Sequence, residues 1–117
     1  MEPLKINTRD EEWHIQQAII KELTLKQWYV KSTHGNAYQS GFPDLFCTHF
    51  SYGMRWLEVK KPKGYSFTAA QLECFPKFCA YGSKIWVATS HIGVEELLMK
   101  PSNWHFFLMN VRSANNG

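Results

Sequence analysis

The chain has 117 residues, 44% hydrophobic and 15% aromatic, so one packed domain is expected over residues 1–111, short enough that pairing with a second copy would enlarge its working surface. Lys and Arg number 13 against 10 acids, a net charge of +3, which fits a polyanionic partner without requiring one. Three cysteines without a CxxC argue against a disulfide framework, Cys47-x-His49 lacks a second pair for zinc, and the absence of a signal-like or membrane-length apolar run points to a cytoplasmic protein that is not membrane-bound.

Thr8 to about Lys26 has the pattern of an amphipathic helix. Thr8-Arg9-Asp10-Glu11 fits a capping box, in which Glu11 reaches back to the first turn. Ile15, Ile19 and Leu23 form one stripe, and at about 100° per residue Glu12 falls on it while Glu11 does not. The adjacent acids therefore separate: Glu11 caps, and Glu12 points inward and needs a partner. Trp28 to Ser32 reads as a short strand, followed by the polar loop Thr33 to Gly41.

Phe42 to Phe50 and Met54 to Lys61 read as two strands joined by the three-residue hairpin Ser51-Tyr52-Gly53, with Gly53 in the left-handed position. Pairing Phe50 with Met54 sets Phe46 against Glu58 and Asp44 against Lys60. Asp44, Glu58 and Lys60 then share one face, and Leu57 and Val59 take the other.

Thr68-Ala69-Ala70-Gln71 is a second capping box, opening a helix with Leu72, Phe75, Phe78 and Cys79 on its apolar side. Pro76 should kink or split this helix, and Gly82 should end it. Lys84 to Thr89 reads as a buried strand, parallel to Met54–Lys61 across the helix. Val94 to Lys100 is a short helix stopped by Pro101. Asn103 to Asn110 is expected as an edge strand and Arg112 to Gly117 as a disordered tail. The fold class that follows is α/β, a central mixed sheet flanked by helices in the order α-β-β-β-α-β.

Two carboxylates on one strand face, with a lysine beside them, have a specific chemical use. Asp44, Glu58 and a main-chain carbonyl offer hard oxygen ligands of the kind Mg²⁺ takes. Such an ion acidifies bound water and neutralises charge growing on a phosphate, and Lys60 can orient that water or steady the transition state. An isolated E-x-K is usually a solvated surface pair. The same-face Asp44 and the inward Glu12 set this one apart.

Gly41-Phe42-Pro43-Asp44-Leu45 followed by Glu58-Val59-Lys60 resembles the PD-(D/E)XK nuclease superfamily, and more narrowly the VRR-NUC type found in phage and bacterial proteins. The helix acid before an I-Q pair is matched by Glu12 and Ile15-Gln16, and the T-x-x-Q opening of the later helix by Thr68 and Gln71. The resemblance spans about Glu12 to Thr89. It implies a restriction-endonuclease-like core and hydrolysis of DNA phosphodiester bonds with Mg²⁺ or Mn²⁺. It implies Asp44, Glu58 and Val59 as metal ligands and Lys60 as the catalytic lysine, and it adds a site role for Gln71 to its capping role.

Lys61 and Lys63 are expected on the DNA backbone, in a sequence-independent contact. His34 could touch a phosphate or stand as a solvated loop histidine, the latter being preferred. Tyr38, Tyr65 and Phe67 could stack on bases, although core packing is preferred for Phe67. The leading expectation is a homodimeric endonuclease without a nucleotide cofactor, cutting branched DNA such as Holliday junctions or, less selectively, single- or double-stranded DNA. The alternative is a non-cleaving nucleic-acid-binding module on the same fold, whose degenerate members usually lose one of Asp44, Glu58 and Lys60; this chain keeps all three.

Overall fold

The computed structural model describes residues 8–33 and 41–116, with side chains over residues 11–33 and 41–111. His34, Tyr38 and the Thr8 side chain that would complete the first capping box lie outside the described residues, as does Gly117. In chain order the elements are α1 (Thr8–Leu25), β1 (Tyr29–Ser32), β2 (Leu45–His49), β3 (Gly53–Val59), α2 (Ala69–Ala80), β4 (Ile85–Ala88), α3 (Val94–Leu98) and α4 (Trp104–Asn116).

The strands form one sheet in the order β1-β2-β3-β4. The first two pairings are antiparallel; β3 and β4 are parallel and joined through α2. All four residues of β4 are buried, and their alternation divides the core in two. Trp86 and Ala88 pack with Ile19 and Leu23 of α1 and with Val94 and Leu98 of α3. Ile85 and Val87 pack on the other face with Phe67, Phe75, Trp104 and Leu108. The result is a mixed sheet between two helical layers, with an apolar run wherever a strand is covered on both faces.

Leu57 and Val59 face the α1 layer, so Glu58 between them faces the α2 layer, as strand alternation requires. The hairpin register differs from expectation by two residues: Phe46 pairs with Trp56 and His49 with Gly53. The turn closes one pair earlier, through Tyr52 N–H donating to His49 O, and Phe50 is left exposed. Because the shift is even, every side chain keeps its predicted face. Asp44 now comes opposite Glu58 rather than Lys60. Gly53 does hold the left-handed conformation, with φ +79°.

The expected edge strand over Asn103–Asn110 is a helix instead. Its aromatic residues suit a strand, but Trp104, Leu108 and Val111 recur at helical spacing and fill the second core. The edge of β4 that a strand would have covered is taken by side chains. The Asn103 amide accepts from Val87 N–H at 2.6 Å and donates to Val87 O at 2.9 Å, and Ser102 Oγ donates to Ile85 O. The backbone of α4 runs on to Asn116, through most of the stretch read as a tail. Pro76 lies inside α2 without splitting it: the carbonyl its missing N–H leaves without a helical donor belongs to exposed Leu72, where water can reach it. Among the described residues no helix is long and apolar enough to cross a membrane.

Candidate active site

Antiparallel pairing of β2 with β3 brings Asp44, just before β2, beside Glu58 and Val59 at the end of β3. Asp44 N–H donates to Glu58 Oε1 at 3.1 Å, and Val59 N–H donates to Asp44 Oδ2 at 2.7 Å. Each acid thus accepts from the backbone that carries the other or its neighbour, which fixes both carboxylates. The turn into β2 is anchored from behind, with Thr33 N–H donating to Asp44 O at 3.0 Å. Gly41 makes the approach possible. Its φ is +86°, and a Cβ there would lie 2.6 Å from Ala70 O on α2.

Lys60 follows directly after β3. Its Nζ lies 3.1 Å from Glu58 Oε2, donates to Gln71 Oε1 at 3.0 Å, and sits 4.8 Å from the centre of the Phe67 ring. Gln71 comes from the first turn of α2 and closes the cluster. Its Nε2 donates to Glu58 Oε2 at 2.6 Å, while its Oε1 also accepts Thr68 N–H at 3.0 Å. The predicted capping box is present, and the same side chain serves helix and site.

Glu58 is 1% exposed, Lys60 4%, Asp44 7% and Gln71 8%. Charges so deep persist only when paired and hydrogen-bonded. Burial, and next the charge of Asp44, push Glu58 up from its ordinary range to about 8; Lys60 and Gln71 pull the other way without offsetting it. A site that strains to keep a carboxylate ionised favours added positive charge. Two fixed carboxylates of hard oxygen character therefore fit a divalent ion such as Mg²⁺ or Mn²⁺.

Glu12 reaches the same strand end from the opposite layer. It is half-buried, and its Oε1 accepts Lys61 N–H at 3.2 Å, which is the partner its inward phase required. Lys61 is half-buried and Lys63 exposed beyond it. Phe67 is core, packed edge-on against Phe75. Tyr65 packs 5.1 Å from Phe107 in the second core rather than standing free for bases. Gln16, one turn after Glu12 on α1, is a buried polar residue absent from the expected site. The signal for it was its spacing of four from Glu12, which sets both on one helix face.

No family model and no curated protein matches the chain. A solved structure described as a "VRR_NUC domain" superposes with a TM-score of 0.60 at 24% sequence identity, covering 76% of this chain and 95% of that one. The chain has the fold of a VRR_NUC domain. That fold accounts for the mixed sheet flanked by helices, and the buried acid–lysine–glutamine cluster lies at the strand ends within it.

Proposed function

We propose that the chain is a nuclease that hydrolyses DNA phosphodiester bonds with Mg²⁺ or Mn²⁺. The observation that carries this reading is the buried network of Asp44, Glu58, Lys60 and Gln71 on a VRR_NUC fold. Asp44, Glu58 and the Val59 carbonyl would hold the ion. When bound, it acidifies water and neutralises charge on the phosphate. Lys60 is positioned by two acceptors, Glu58 and Gln71, and its ammonium would meet a phosphate oxygen as charge grows there. Gln71 keeps Glu58 and Lys60 in place together. Glu12 holds the main chain at Lys61, where the strand leaves the site.

Within this reading the enzyme works inside the cell as a homodimer on branched DNA, two sites spanning one junction. Exposed apolar residues, among them Phe106 and Met109 on α4, are of the kind a second copy covers. Lys61 and Lys63 grip backbone phosphates without regard to sequence.

The test is cleavage by the purified protein of duplex, single-stranded, flap and four-way DNA, in EDTA and after restoring Mg²⁺ or Mn²⁺. Ion-dependent cutting, strongest on branched DNA, is expected. Tight binding without cutting under any ion would favour a non-cleaving module.

A further inference from the structure

Around the strand end from the acid cluster, on the α1 side, lies an open cleft of about 570 Å³. His14 and Ile15 of α1 form one wall, Pro62 after β3 another, and Thr89, Ser90 and His91 after β4 a third. None of these residues has a part in the chemistry described above. The cleft nonetheless adjoins the site through the backbone. Glu12, which binds Lys61 N–H, lies between Glu11 and His14, and Lys60 N–H donates to Ala88 O, one residue before Thr89. The cleft therefore borders the segment from Lys60 to Pro62 by which the chain leaves the site.

The lining identifies the guest. The volume is in the range of small-ligand sites. Ile15 and Pro62 offer apolar contact, and Thr89, Ser90, His14 and His91 offer donors and acceptors at the rim. Glu11 also lines the cleft, and its carboxylate disfavours a phosphate. A neutral, flat group with polar edges fits this lining, and a nucleobase has that character.

We infer that the cleft receives an unpaired base from the nucleotide flanking the scissile phosphate. This inference rests on the nuclease reading and gives its substrate class: DNA with an unpaired nucleotide beside the cut, because a paired base cannot leave its stack without cost.

The experiment measures affinity in Ca²⁺ by fluorescence anisotropy, using flap DNA in which a single abasic site is walked along the unpaired arm. At one position the abasic site should weaken wild-type binding roughly tenfold, the scale of one lost stacking contact. In the His14→Ala/His91→Ala double variant that penalty should vanish; both residues are exposed, so folding is retained. No penalty at any position, or an undiminished one in the variant, would overturn the inference. Cleavage of the same DNAs in Mg²⁺ separates the two levels. Cutting with no abasic penalty removes the cleft and spares the nuclease. An abasic penalty with no cutting keeps the cleft and removes the nuclease, and neither effect removes both.

Discussion

Replacing Gln71 with alanine separates the two roles this side chain performs. The change deletes three contacts: the 3.0 Å bond that caps α2 at Thr68 N–H, the 3.0 Å bond from Lys60, and the 2.6 Å bond to Glu58. Thr68 is exposed, so water replaces most of the first. The other two leave a buried ammonium and a buried carboxylate each short of a partner, at about 1–3 kcal/mol apiece. Since Lys60 and Glu58 keep one another at 3.1 Å, we expect a total loss of about 2–4 kcal/mol, a large share of a typical 5–15. Thr68→Ala removes only the hydroxyl that accepts Gln71 N–H and should cost about 1 kcal/mol. Urea unfolding at constant m-value gives both numbers, and single-turnover cleavage gives the functional counterpart. Gln71→Ala should slow cutting by orders of magnitude, whereas Thr68→Ala should leave it near normal. Equal stability losses with normal cleavage in both variants would reduce Gln71 to a helix cap and refute the reasoning.

Glu58 supplies a pH test. Its folded pKa of about 8 exceeds the ordinary 4.5, so the native state keeps a proton that the unfolded chain releases, and stability contributed by Glu58 falls as pH rises between those values. In EDTA, the unfolding midpoint of Glu58→Gln should therefore gain on wild type across that window; parallel curves would contradict the shift. Glu12→Gln keeps an acceptor for Lys61 N–H but removes a negative charge from the strand end beside the site, so it should unfold within about 0.5 kcal/mol of wild type yet cut poorly, while Glu11→Ala should cost about 0.5–2 kcal/mol and spare the cleavage rate. The opposite pattern would mean the helix phase is wrong. Gly41→Ala should lose about 1–3 kcal/mol by thermal unfolding, because its φ is +86° and its Cβ would meet Ala70 O at 2.6 Å. Wild-type stability would show that α2 can shift freely away from Asp44.

The site was legible in the sequence because strand alternation is insensitive to an even register error. Taking the turn as Ser51–Gly53 misplaces the pairing by two residues, yet Asp44, Glu58 and Lys60 stay on one face. A turn of either placement uses three residues, and only packing at the tip distinguishes them. The helix phase that separates Glu12 from Glu11 finds its reason in a single hydrogen bond, from Lys61 N–H. Residues 103–110 mislead because Trp104, Phe106, Phe107 and Leu108 satisfy strand propensity and helical spacing alike. Tertiary burial of Trp104 and Leu108 decides for the helix. Gln16 stands in the motif match with Ile15 and one turn from Glu12, but only the folded chain shows that it, and not the adjacent Gln17, is buried. The cleft at His14 and His91 joins segments far apart in the chain, so no local pattern could announce it.

The central claim is that Asp44 holds the ion and Lys60 acts on the phosphate in the transition state. It is tested most directly by measuring single-turnover rate and DNA affinity together for Asp44→Asn and Lys60→Gln. Asp44→Asn keeps an amide oxygen that can accept Val59 N–H, and Lys60→Gln keeps a polar end at position 60 while removing its charge. The account predicts rates lowered by orders of magnitude in Mg²⁺ with affinity in Ca²⁺ almost unchanged, while Lys63→Ala does the reverse, binding more weakly and cutting normally at saturating DNA. Folded Asp44→Asn and Lys60→Gln proteins that cut at the wild-type rate would contradict it.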